Sequence, residues 1–127
     1  MKTVMASVSV ALALLPMPGY GQESLVGRYV GSFVVSSAFP GRPERTIRLE
    51  LVIESAENGV VKGVGISQSK NCAGAAVPIV GEHRGAKLEL RAAEERTSCS
   101  MQHSLVIEGN KLTGTTRSGY PVTLTKQ

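Results

Sequence analysis

The chain of 127 residues contains no tryptophan, only two phenylalanines, two histidines and two cysteines, and no aspartate at any position. Each shortage removes a class of chemistry. Without aspartate, neither a Ser-His-Asp triad nor an aspartyl dyad can be assembled, so any carboxylate chemistry falls to glutamate. Glu94 and Glu95 are adjacent and project to opposite sides of an extended chain, where two acids cannot flank one bond. No Gly-rich phosphate loop followed by Lys-Ser/Thr is present, and no Gly-x-Ser-x-Gly elbow marks a nucleophile. His83 and His103 fall on different predicted strands without ligand-like spacing, so no metal site is expected. The composition predicts a protein that is not an enzyme and carries no cofactor.

The same shortages bear on partners. An aromatic content of 4% leaves little with which to stack bases, and the basic residues are spread rather than clustered, so nucleic acid is not an expected partner. After the first residues no apolar run approaches the roughly 20 residues of a membrane-spanning helix.

What is there begins with "MKTVMASVSVALALLPMPGYGQ". One positive charge at Lys2, an apolar run from Val4 to Leu15, a Pro/Gly break and the small-x-small tripeptide Gly19-Tyr20-Gly21 have the three-part layout of a secretory signal peptide. Residues 1–21 are read as that signal, cleaved after Gly21, and residues 22–127 as a single domain, periplasmic or secreted. Removal of Lys2 leaves 13 Lys and Arg against 10 acidic residues, a mild basic excess expected of a solvated surface. Cys72 and Cys99 both fall in the mature part. In an oxidising compartment they are expected to form one disulfide, worth about 3 to 4 kcal/mol in the chain-entropy model.

The mature sequence alternates. In "TIRLELVIE" Ile47, Leu49, Leu51 and Ile53 face one way, with charge on the other, the pattern of a half-buried strand. "GRYVGSFVVSS" precedes it, and Asn58-Gly59 after it is the strongest short hairpin signal. "GVVKGVGISQ" follows, with Gly63 and Gly65 suggesting bending or close approach of another segment. Next come "VPIVGEH", "AKLELRA", "CSMQHSLVI", "KLTGTTR" and "YPVTLTK". About eight short strands with regular turn signals predict an all-β fold: a small eight-stranded antiparallel up-and-down barrel, or alternatively a β-sandwich. Two connections are longer, "SAFPGRPER" and "SKNCAGAAVP", and should sit at barrel ends.

The segments "GRYVGSF", "GVVKGVG" and "GNKLTGT" place strands, turns and glycines so that most of the mature chain resembles small exported bacterial proteins with a calycin-type barrel, in the broad sense that includes lipocalins and avidins. The resemblance implies a barrel that binds a small molecule. Gly27-Arg28-Tyr29 stands where lipocalins usually carry Gly-x-Trp, and the tryptophans of an avidin-type biotin pocket are absent, so biotin binding is not implied.

Two candidate sites follow. In "CSMQHSLVI", Cys99, Met101, His103, Leu105 and Ile107 share a face, which predicts an inward His103. A histidine on such a face is expected to be neutral, with a ring nitrogen bonded to a carbonyl or hydroxyl. If the barrel holds a small apolar ligand, Tyr29, Phe33, Leu49, His103 and Tyr120 are the inward residues expected to line its cavity. The second site is the loop 37–45, where Phe39, Arg42 and Arg45 combine residue types that dominate protein interfaces. It would make the protein a binding module for an extracytoplasmic protein, such as a hydrolase inhibitor. A structural role in the envelope needs neither site.

Overall fold

A computed structural model describes residues 25–36, 41, 43–94, 99 and 101–127. The predicted signal peptide and residues 37–40 and 42 of the first loop, which include Phe39 and Arg42, lie outside these described residues. The eight strands are β1 (Gly27–Val35), β2 (Arg45–Glu57), β3 (Val60–Ser67), β4 (Ala76–Arg84), β5 (Lys87–Ala92), β6 (Gln102–Glu108), β7 (Lys111–Thr116) and β8 (Pro121–Lys126). Each pairs antiparallel with its chain neighbour, and β1 also pairs with β8, so the sheet closes into an up-and-down barrel. The sandwich alternative is thereby set aside. Closure leaves no unpaired sheet edge.

Alternation puts the apolar half of each strand inside. Leu49, Leu51, Val61, Leu88, Leu90, Leu105, Leu112 and Leu124 are each at most 2% exposed. Charges line the outer surface, where the Arg28 guanidinium meets the Glu50 carboxylate at 2.6 Å and the Ser104 hydroxyl donates to Glu89 Oε1 at 2.7 Å. The Arg28–Glu50 hydrogen bond holds the Glu50 carboxyl below its ordinary range. As an exposed pair it adds little stability.

Closing so small a barrel coils the sheet until, at some positions, the backbone of the neighbouring strand fills the space a side chain would need. Gly31 on β1 and Gly114 on β7 are where this happens. A Cβ at Gly31 would overlap the Thr123 carbonyl oxygen, and one at Gly114 the Ser104 carbonyl oxygen. Gly63 against Val52 and Gly81 against Glu89 repeat the arrangement on β3 and β4. Glycine kinks of this kind are what let a sheet curl into a barrel. The sequence reading of Gly63 as a point of bending or close approach is thus met.

Two strands differ from their sequence-based limits. β2 runs on to Glu57 because its register shifts between Ile53 and Ser55. The extra residue of this bulge restores inward alternation, burying Ala56 after Ile53. β6 begins at Gln102 rather than Cys99, since Cys99 is tied to Cys72 instead of to a strand partner.

The connections divide the barrel into unlike ends. At one end the hairpins β2–β3, β4–β5 and β6–β7 turn through residues 58–59, 85–86 and 109–110. Asn58 and Gly59 have φ of 57° and 78°, the two positive values a type I′ hairpin requires, so the Asn-Gly signal gives the expected turn. At the other end lie the connection 68–75, the turn 117–120, and the strand ends between which the longer connections 36–44 and 93–101 run. The Cys72–Cys99 disulfide joins two of these, as the cysteine count predicts. It is consistent with an oxidising, extracytoplasmic setting.

Candidate functional site

The hairpin end is sealed. Leu25, which precedes β1, is 1% exposed, and its carbonyl oxygen accepts a hydrogen bond from the buried Tyr29 hydroxyl at 2.9 Å. The Lys126 ammonium lies 5.9 Å from the Tyr29 ring centroid. Tyr29 therefore packs the inside of this end.

The opposite end is not sealed by the described residues. A cavity of about 210 Å³ lies there, lined by Phe33 and Val35 of β1, Ser67 and Ser69 around the end of β3, and Met101, Gln102 and His103 at the start of β6. Thr116, Arg117, Ser118 and Tyr120 from the β7–β8 turn complete it. Phe33 and Tyr120, 87 positions apart, stack with centroids 6.2 Å apart and planes 18° from parallel. They form one aromatic wall. The turn that carries Tyr120 is wrapped around Thr116, whose hydroxyl accepts from the Tyr120 N–H at 3.2 Å and whose N–H donates to the Tyr120 carbonyl at 2.9 Å.

Met101 sits where a side chain at position 65 would be. A Cβ on Gly65 would lie 2.5 Å from Met101 Sδ, so the bare backbone of β3 makes room for the thioether across the barrel. The disulfide holds the chain just before Met101. Local covalent restraint and an unfilled position on another strand together set this side of the cavity.

His103 is the unusual member. It is 5% exposed, pairs in register with Leu90 and Thr116, and neither ring nitrogen has a hydrogen-bond partner among the described residues. The expectation of a satisfied core histidine is therefore not met, because no carbonyl or hydroxyl of the surrounding wall is aligned with the ring. Burial pushes its pKa down to about 4, so the imidazole is neutral at pH 7 and offers one donor and one acceptor. A buried polar group left unpaired costs about 1 to 3 kcal/mol. Other atoms of His103 line the cavity, while the two nitrogens themselves are buried from it. His83 Nε2 is also buried without a partner, but His83 is not among the residues lining this cavity.

Of the five inward residues expected to meet a ligand, the structure brings Phe33, His103 and Tyr120 together in one cavity. Tyr29 packs the sealed end, and Leu49 is fully buried in the core; neither lines the cavity. Arg45 is exposed at the start of β2, while the rest of its proposed loop site, Phe39 and Arg42, lies outside the described residues. Ser67, Met101 and Thr116 were not foreseen as lining residues. A signal for them does exist: the inward stripe of β3 runs Val61, Gly63, Gly65, Ser67, and that of β7 runs Leu112, Gly114, Thr116. Each turns polar only at the open end.

Fold and site thus define a closed antiparallel barrel with a mixed polar and aromatic cavity among the described residues at the end opposite the hairpins. Compared with known proteins, the chain matches no protein-family model and no curated protein. Among the described residues no cluster of three or more His, Cys, Asp or Glu side chains could hold a metal ion, and no helix is long and apolar enough to cross a membrane.

Proposed function

We propose that this protein is an exported, non-enzymatic binding protein that takes up a small molecule in the open end of its barrel. The observation that carries the reading is His103, buried in the cavity wall with both nitrogens unpartnered. A folded chain bears the cost of such a group where a ligand repays it. The aromatic wall of Phe33 and Tyr120 supplies apolar contact on the same cavity. The three-part N-terminal sequence, with cleavage after Gly21, and the disulfide support a periplasmic or secreted location. The resemblance to calycin-type carriers supports the reading at the level of architecture, with the difference that Leu49 and its neighbours fill the interior below the cavity.

Native mass spectrometry of oxidised protein purified from its own host's envelope, set against the same sample after denaturation, tests this. A small molecule released on unfolding is the expected result. A mass equal to the mature chain less two hydrogens, with no small molecule from the host's envelope extract perturbing His103, Phe33 or Tyr120, contradicts it. That outcome turns the search to a protein partner for the loop 37–45.

A further inference from the structure

We infer that the ligand is a small carboxylate, its body held in the cavity and its carboxylate met at the rim by Arg45; this rests on the reading of the open end as a small-molecule site. Strand register carries the inference. β2 lies between β1 and β3, and the ends of both neighbours border the cavity, with Phe33 and Val35 on one side and Ser67 and Ser69 on the other. Arg45 is the register partner of Val35, as Ile47 is of Phe33. Alternation places Arg45 on the same face of β2 as the buried Ile47, Leu49 and Leu51. That inward stripe therefore carries one charge, at the level where the neighbouring strands border the cavity, and apolar groups below it.

The Arg45 guanidinium is available to a ligand. Arg45 is exposed, and among the described residues it has no hydrogen-bond or ion-pair partner. Glu44, the acid next to it in the chain, instead accepts a hydrogen bond from the Ser36 hydroxyl at 3.5 Å. Arg117 lines the cavity from the β7–β8 turn but already takes part in an interaction within the chain, so the head group is assigned to Arg45. A guanidinium presents parallel N–H donors that match the two oxygens of a carboxylate.

Size and lining set the body. A cavity of about 150 Å³ accommodates benzene. The cavity here is about 210 Å³, which takes a body of about six to eight heavy atoms, with apolar contact from Val35, Met101 and Phe33.

The test titrates labelled, oxidised mature protein at low ionic strength with hexanoate, hexan-1-ol and hexylammonium, which share one kind of body and differ in head charge. Binding is followed through the signals of Val35, Met101 and Tyr120 by nuclear magnetic resonance. Hexanoate is expected to bind more tightly than hexylammonium. In Arg45→Gln the ratio of hexanoate to hexan-1-ol affinity should fall about fivefold, the upper range for an exposed charge pair, and added salt should lower the ratio in the parent protein. Arg48→Gln removes an equal charge from the outer face of the same strand and should leave the ratio unchanged. The inference is overturned if Arg45→Gln keeps the parent ratio, if Arg48→Gln lowers it as much, or if hexylammonium matches hexanoate; binding in any of these cases leaves the small-molecule site standing. No response to any of the three compounds also overturns it, and the small molecule released from host-purified protein then decides separately whether the site exists. A released compound without a carboxylate contradicts the inference while supporting the site.

Discussion

The two ends of the barrel are built from the same alternating strands and reach opposite outcomes. At the sealed end, two-residue hairpins draw the strands together, Leu25 plugs the opening, and the one inward phenol finds a carbonyl at 2.9 Å. At the open end the connections are longer in sequence, a disulfide joins two of them, and an inward imidazole finds no partner among the described residues. The difference is not one of satisfaction alone, since His83 Nε2 at the hairpin end of β4 is also buried without a partner among the described residues; what sets His103 apart is that its residue borders a cavity. Under the proposed function, that imidazole marks the place where a ligand would sit.

The largest way to break this contrast is to prevent closure itself. Gly31→Ala or Gly114→Ala places a methyl group against a carbonyl oxygen of the neighbouring strand, where neither backbone can yield cheaply. Each should cost more than about 4 kcal/mol by urea denaturation. Gly85→Ala, in a hairpin at the sealed end with open space around it and φ of 56°, should cost only about 1 to 2 kcal/mol. Equal costs would mean that the glycines are not what curls the sheet.

Removing the disulfide should loosen one end more than the other. Cys72→Ser with Cys99→Ser releases a link across 27 positions, expected to cost about 3 to 4 kcal/mol. Hydrogen exchange should rise first in residues 68–75 and 101–103, with the hairpins 58–59 and 109–110 still protected. Uniform loss of protection would show that the disulfide stabilises the whole barrel and not its mouth.

Acid should find the open end through His103. Its pKa is about 4 in the folded chain against an ordinary 6.5, so between those values the unfolded chain takes up a proton that the folded chain refuses. Stability is flat above about pH 7, falls as pH drops through 6.5, and has lost up to about 3 kcal/mol by pH 4. The contribution of Glu50, whose carboxyl is held low by Arg28, is lost only below the ordinary carboxylate value of 4.5, which leaves most of that window to the histidine. His103→Leu should flatten the window and, by removing an unpaired polar group, raise stability at neutral pH by about 1 kcal/mol. A parent protein whose stability is constant from pH 7 to 5 would contradict the buried, unpartnered imidazole.

The smallest effect sharpens the contrast from the other side. Tyr29→Phe removes the hydroxyl that Leu25 accepts and should cost about 1 to 2 kcal/mol, with faster exchange near Leu25 and no change in ligand affinity at the mouth. An altered affinity would show the two ends to be coupled.

Much of this architecture is legible in the sequence, and the reasons are physical. Period-two alternation assigns faces, Asn58-Gly59 assigns a turn, and two cysteines in an exported chain assign a bond. Alternation does not assign depth. Tyr29 and Phe33 share a face, yet four residues of strand separate them by about 13 Å, enough to place one in the sealed end and one in the cavity. The Phe33–Tyr120 stack depends on β1 meeting β8, a closure that no local signal announces. The bulge between Ile53 and Ser55 is hidden because Ser55 and Ala56 are small enough to suit either face. The fit of Met101 over Gly65 joins two strands by shape alone, although the glycine by itself marks a close approach.

The account stands most directly on what surrounds the His103 ring. A crystal structure of protein purified from its host's envelope, at a resolution that separates ring from water, is the decisive measurement. The account predicts a non-protein group within hydrogen-bond distance of Nδ1 or Nε2, lying against Phe33 and Tyr120. A His103 ring bonded to a carbonyl or hydroxyl of its own chain, with the cavity closed around it, would contradict the account.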